Sequence, residues 1–236
     1  MGHLPNINPL EPLVTTYRKF FGENAAVIFD VGTRDGDDAN YLFNNLNVYG
    51  ANVYAIDANP EMCKNTKINY PYMTVIYTAI SNYHGTTKFQ KVEHERKDYV
   101  GCSSIYANKL IEQEDIRDHV VDIEVPVTTM LDLLISLDKH NTIIDLIKVD
   151  IEGYTYQFLE GLGNRLNNVK CLHLETEQDS THPNHKNSKQ IKEYMERSGF
   201  YLADVSYEWG WHIEDQIWVN KELAINNNEC WEGNLK

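Results

Sequence analysis

The chain has 236 residues and a formal charge of −14, from 35 Asp+Glu against 21 Lys+Arg, and this length suits one sizeable core. That charge argues against nucleic acid as a partner, because a phosphate backbone needs a basic surface that displaces its counterions. The apolar runs are short and broken by charge, and no basic segment leads into an apolar one at the start, so the expectation is a soluble, cytoplasmic protein with neither a membrane span nor a signal peptide.

The spacing from Pro9 to Phe21 (Leu10, Leu13, Val14, Tyr17, Phe20, Phe21) predicts a helix, read as a lid or outer helix before the first strand. Ala26 to Val31 is strand one and Asp37 to Leu46 its helix. Asn52 to Ile56 is strand two, and Pro60 opens the helix that runs to Asn69. Met73 to Ile80 reads as strand three. Gly85 to Val92 reads as an edge strand, Glu93 to Lys97 as a solvated charge run, and Gly101 to Ser104 as a small-residue loop. Ile105 to His119 is weakly helical, Val120 to Val127 alternates like a half-exposed strand, and Thr128 to Leu137 returns to helical spacing.

Ile143 to Val149 is a fourth core strand that delivers Asp150, Glu152 and Gly153 to its carboxyl end, with a helix following through Tyr156, Phe158 and Leu162. Val169 to Thr176, Phe200 to Ser206 and Ile213 to Val219 complete the strands, and Ser188 to Ser198 is an amphipathic helix ended by Gly199. This rhythm predicts a single-domain, Rossmann-like α/β fold: a seven-stranded, mainly parallel sheet with helices on both faces. Cys63, Cys102, Cys171 and Cys230 are scattered with no CxxC pair, which suits reduced, packed thiols better than disulfides or zinc.

The stretch that carries chemistry is Asp30-Val-Gly32-Thr-Arg34-Asp35-Gly36, a strand breaking into a glycine-punctuated turn before a helix. A nicotinamide or flavin dinucleotide site calls for G-x-G-x-x-G, whose second glycine lets the backbone approach a pyrophosphate. Arg34 and Asp35 stand where that bare backbone is needed. Asp30 ends strand one and suits a cationic amino-acid group, and Asp57 ends strand two, 25 residues past Gly32, where it suits the two hydroxyls of a ribose. A cofactor with a ribose, no phosphate and a positive charge is S-adenosylmethionine.

These residues resemble the FkbM-type methyltransferases, a group within class I of the S-adenosylmethionine-dependent enzymes. The resemblance runs from about Ala25 to Glu177. Phe29 to Gly36, Tyr54 to Pro60, and Thr78 to Ser81 with Gly85 match three motifs, while Val125 to Asp132 and Ile144 to Gly153 carry the most specific signatures. Arg34-Asp35 replaces the small or amide residues more usual in the turn, and Asp57 replaces the usual glutamate. The resemblance implies a cofactor site of Asp30, Gly32, Arg34, Gly36, Asp57, Ala58, Ala79, Ser81 and Asp150. It also implies methyl transfer to oxygen, commonly on a sugar or natural-product hydroxyl. Residues 25–220 would form the methyltransferase domain, 1–24 an N-terminal helical extension and 221–236 a tail.

A sugar hydroxyl is a poor acid, so methyl transfer to it calls for a base or a metal. The two-residue period of a strand puts Lys148 with Asp150 on one face, and His173 with Glu175 and Glu177 on one face of the next. Asp150 is the first choice at the transfer centre, as base or as organiser of the acceptor. His173 is an alternative base, with Lys148 and Glu175 beside it. Asp150 with Glu175 or Glu177 has the oxygen donors for a divalent cation, but no metal is assigned. Glu152, Trp209, Trp211 and His212 are candidate acceptor contacts, the tryptophans because aromatic faces stack on sugar rings. His182 and His185 are read as surface polarity. The leading function is an O-methyltransferase acting on a sugar, glycan or glycosylated small molecule. The alternatives are a catalytically silent cofactor-binding module and a nicotinamide-dependent reductase. Oligomeric state is left open.

Overall fold

The computed structural model describes residues 8–48, 52–95, 100, 102–105, 117–178, 185–208 and 212–224. Seven strands form one sheet: β1 (Ile28–Val31), β2 (Val53–Asp57), β3 (Thr74–Tyr77), β7 (Ile144–Val149), β8 (Val169–Glu177), β9 (Phe200–Glu208) and β10 (Ile213–Asn220). Their order is β3-β2-β1-β7-β8-β10-β9. The five from β3 to β8 are parallel, and β10 runs antiparallel to both β8 and β9. The expected sheet is therefore present. Chain order reverses between β1 and β7, the crevice where such sheets take ligands at the carboxyl ends of their strands.

Both faces are covered. On one face α1 (Glu11–Phe21) and α2 (Asp37–Asn45) bury Leu13, Tyr17, Phe20 and Leu42 against Ile28, Ala55, Leu146, Cys171 and Val219. On the other, α4 (Met130–Ser136), α5 (Thr155–Leu162) and α6 (Ser188–Arg197) pack Leu134, Phe158 and Met195 against Phe29, Ile147, Leu172 and Trp218. Central strands buried on both faces read as near-continuous apolar runs, and β1 and β7 follow this apart from the buried charged residues Asp30, Asp145 and Lys148. α3 (Pro60–Asn69) begins with proline, and the Asn59 side chain accepts from the Glu61 N–H.

Helix α1 covers a sheet face, as an outer helix does, and is not a lid. The Tyr17 hydroxyl donates to buried Asp145 at 2.8 Å, and Asp145 also accepts from the N–H groups of Ala26 and Val27. That anchor lies at the start of β7, the end of the sheet away from the crevice. No helix among the described residues is long and apolar enough to cross a membrane.

The expected third strand divides in two. β3 stays in the large sheet, and after Thr78 the chain turns into β4 (Ala79–Ser81), which joins β5 (Gly85–Val92) and β6 (Val120–Thr129) in a separate three-stranded sheet of order β4-β6-β5. Thr78 marks the break: its N–H donates to Asp57 O while its hydroxyl turns to Pro126 O. β5 is thus an edge strand of this small sheet. The helix expected over Ile105 to His119 falls mainly on residues 106–116, outside the described residues. Cys63, Cys102 and Cys171 are buried and form no disulfide among the described residues; Cys230 lies outside the described residues.

Candidate active site

A cavity of about 370 Å³ opens at the carboxyl ends of β1, β2, β7 and β8. The turn after β1 forms its floor. Gly32 has φ +84°, and a Cβ there would stand 1.7 Å from the Asp150 carbonyl oxygen, so only glycine lets the β1 turn and the end of β7 touch. Arg34 and Glu152 take left-handed conformations (φ 50° and 48°), a strain of about 1–3 kcal/mol each for non-glycine residues and one that tends to gather at functional sites. Helix α5 begins only at Thr155, and Glu152 sits in the turn before it.

At the β2 end, the Asp57 carboxylate accepts from the backbone N–H groups of Arg34 and Asn59, each at 2.7 Å. Burial pushes its carboxyl up to about 6, although those two donors pull the other way. Ile56, Ala58, Met62, Ala79, Ile80 and Phe89 give this end apolar walls.

At the β7 and β8 end, acids crowd together. Asp150, Glu152 and Glu175 line the cavity and offer carboxylate oxygens within 4.8 Å of one another. A divalent cation would bridge such a spacing, but the carboxylates alone do not assign one. Burial raises the Glu175 carboxyl well above the ordinary glutamate range, and Asp150, Glu152 and Asp215 raise it further. Asp150 moves the other way: burial opposes its ionisation, but the Lys148 ammonium at 3.0 Å outweighs that and holds it below the usual range.

Two of the expected reacting groups stand behind the cavity wall. Lys148 is buried, its Nζ shared by Asp150, Asp38 at 3.1 Å and Asp30 at 3.8 Å. Burial opposes its charge, but the three carboxylates prevail and raise it well above the usual lysine value. His173 pairs across β7 with Lys148. Burial, then Lys148, lowers its imidazole to about 4, so it is neutral at pH 7. Its Nδ1 has no hydrogen-bond partner among the described residues, and Asp215 lies 3.7 Å from its Nε2. Neither Lys148 nor His173 lines the cavity.

Asp30 is likewise sealed off, fully buried and accepting from the Thr33 hydroxyl at 2.7 Å, with its carboxyl raised to about 6 by burial against the pull of Lys148. Gly36 is buried against Thr66 and Tyr70 at the start of α2. Ser81 is buried behind the wall, where its carbonyl would stand 2.1 Å from a Cβ at Gly161. Gly32, Arg34, Asp57, Ala58, Ala79, Asp150, Glu152 and Glu175 do line the cavity. His212 is exposed, with its carbonyl accepting from the Gln178 N–H. Trp209, Trp211 and His182 lie outside the described residues. His185 is not the surface group expected: it is 9% exposed, and Gly153 leaves the room it fills, since a Cβ there would lie 2.6 Å from its Cε1.

Sequence reasoning missed Asp38 and the segment 102–105. Asp38 follows Asp37 at the start of α2, and two acids there look like simple partners of the helix dipole. Ser104 pairs with Gln90 of the small sheet, and its hydroxyl donates to the Glu152 carbonyl at 2.9 Å, which carries the segment over the cavity. The only hint of this was the run of small residues.

A model of the methyltransferase FkbM domain matches residues 30–202. The chain belongs to the FkbM methyltransferase family. Among solved structures, it is similar to the FkbM methyltransferase of Methylobacillus flagellatus KT (11% identity, TM-score 0.52), the match covering 87% of this chain and 50% of that one. This chain thus spans about half the length of that relative, and at such identity the likeness shows the fold. Lower-scoring matches include the Synechocystis PCC 6803 magnesium protoporphyrin IX methyltransferase with bound S-adenosylmethionine (9% identity, TM-score 0.49, 89% of this chain and 77% of that one). Another is M. capricolum TrmK in complex with S-adenosylhomocysteine (13%, TM-score 0.45, 88% and 67%). No curated protein matches the chain.

This FkbM protein is accordingly an S-adenosylmethionine-dependent methyltransferase. The cavity fits that cofactor chemically. Asp57 keeps lone pairs beyond its two backbone donors for ribose hydroxyls, the apolar walls beside it suit a flat base, and Asp38 and Asp150 offer carboxylates to a cationic amino-acid end.

Proposed function

We propose that the protein methylates a hydroxyl oxygen of a sugar, glycan or glycosylated natural product. The observation that carries this reading is Glu175: a cavity-lining carboxyl raised by burial and by three acidic neighbours. A hydroxyl is a poor acid, and a general base whose pKa lies nearer the operating pH takes its proton more effectively. Carboxylates that converge on one cavity also suit the vicinal hydroxyls of a sugar, each of which donates a hydrogen bond.

S-adenosylmethionine, when bound, supplies an electrophilic methyl group. Asp57 holds the ribose. Asp150, kept ionised by Lys148, accepts a hydrogen bond from the acceptor and orients it, while Glu175 takes the proton of the reacting hydroxyl on a carboxylate oxygen. The backbone N–H of Arg34 and the hydroxyl of Ser104 brace the two ends through Asp57 and Glu152. The acceptor enters beside the connection of β9 to β10, whose described ends Glu208 and Ile213 pair with each other and of which Ile213 lines the cavity. Trp209 and Trp211 belong to that connection.

The experiment is transfer of a labelled methyl group to a panel of monosaccharide glycosides, with the modified position read by fragmentation mass spectrometry. Label on a hydroxyl oxygen supports the reading. Label on nitrogen or carbon, or on no acceptor, overturns it.

A further inference from the structure

Three carboxylates from three segments converge on the Lys148 ammonium: Asp30 of β1, Asp38 from the first turn of α2, and Asp150 beyond the end of β7. They differ in what else they face. Asp30 is fully buried and spends one oxygen on Thr33. Asp38 and Asp150 both line the cavity, with side chains 38% and 34% exposed, and each touches Lys148 through a single named oxygen, Oδ2. A carboxylate has about four lone-pair sites, so both keep acceptor capacity on the cavity side.

The charges around this point are unequal. One ammonium meets three carboxylates, the His173 imidazole is neutral, and the Glu175 carboxylate lies within 4.8 Å of the Asp150 carboxylate. Arg34 lines the cavity, but its guanidinium sits 3.8 Å from Asp35. A second cation arriving from the cavity would meet two carboxylates already fixed in place.

We infer that Asp38 and Asp150 form the seat of the cofactor's α-ammonium group, that Lys148 is the positioning residue that holds them there from below, and that Asp30 serves the turn instead of the cofactor. The geometry supplies both requirements of such a seat. Without Lys148, like charges would push Asp38 and Asp150 apart; with it, they are drawn to one point at the edge of the cavity. The inference concerns the methyl donor alone and is independent of which acceptor is used.

The test is isothermal titration of the full chain with two ligands that share the adenosine and differ at the other end: 5′-methylthioadenosine, and S-adenosyl-3-thiopropylamine, which adds the amine without the carboxylate. One charge-assisted hydrogen bond predicts that the wild type prefers the amine roughly tenfold or more. In Asp38→Asn and Lys148→Met that preference should shrink to within about threefold of unity, with methylthioadenosine affinity unchanged. A merely structural role for Lys148 would weaken both ligands equally. Should Lys148→Met fail to fold, Asp38→Asn carries the test, because its side chain is partly exposed at the start of a helix. An undiminished preference in Asp38→Asn, a parallel loss of both ligands, or no amine preference in the wild type would overturn the inference. Failure of the wild type to bind either ligand or S-adenosylhomocysteine would overturn the cofactor assignment with it.

Discussion

Asp57 at the end of β2 and Glu175, three strands across the sheet on β8, are both half-buried carboxyls raised above their ordinary values, yet by different surroundings. Two nearby turns hold Asp57 through the N–H groups of Arg34 and Asn59, so the end proposed for the ribose is prebuilt by local backbone. Burial raises Glu175 as it raises Asp57, but acids that arrive from the β7 turn and from β10 raise it further, and among the described residues no backbone donor to its carboxylate pulls the other way. In the proposed reading one carboxyl accepts hydrogen bonds from the methyl donor and the other takes up the acceptor's proton.

The most severe way to break this contrast is to separate the two ends physically. Gly32→Ala would force a Cβ to within 1.7 Å of the Asp150 carbonyl at a φ of +84°; the expected result is at least ~3 kcal/mol of lost stability in urea unfolding, with loss of cofactor binding. Glu175→Gln tests the acceptor end alone. It should lower kcat about 10²- to 10⁴-fold, the usual worth of a positioned base, and leave the S-adenosylhomocysteine isotherm unchanged. If kcat survives, Glu175 is not the base.

The ribose end is tested by Asp57→Ala, which removes two charge-assisted hydrogen bonds and should weaken S-adenosylhomocysteine binding about 10²-fold or more. Because the Asp57 carboxyl is raised to about 6, it protonates as pH falls through that value and gives up acceptor capacity. Wild-type affinity should therefore fall below pH 6, and Asp57→Asn should lose that component of the pH profile. The smallest expected effect is in the connection between β9 and β10: Trp209→Ala should raise the KM of a glycoside acceptor about two- to tenfold, in line with the worth of one aromatic contact, with cofactor affinity unmoved.

The same contrast explains what was legible in the sequence. The parallel sheet, its register of helices and the Asp57 position follow from apolar runs, a proline at a helix start and a turn with one glycine too few for a dinucleotide, all encoded within a few residues. The acceptor end is a product of tertiary convergence. Lys148 and His173 look like reactive groups, and Asp30 like a cofactor contact, because of where they fall along their strands, but α1 and α2 cover that face of the sheet, and Lys148 meets Asp30 and neighbours His173 behind the cavity wall. Asp38 and Ser104 were hidden for the converse reason: a helix-start acid and a small loop residue are common, and only the folded chain brings one to Lys148 and the other to Glu152. His185 was misread because the space that buries it is left by Gly153, more than thirty residues earlier.

The most direct test of the account is transfer itself: wild type and Glu175→Gln, each shown to bind S-adenosylhomocysteine, are given labelled S-adenosylmethionine and the glycoside panel. The account predicts labelled methyl on a hydroxyl oxygen with the wild type and a loss of about 10²-fold or more with the variant. Cofactor binding by both proteins with no transfer by the wild type would contradict it and leave a cofactor-binding module without an acceptor.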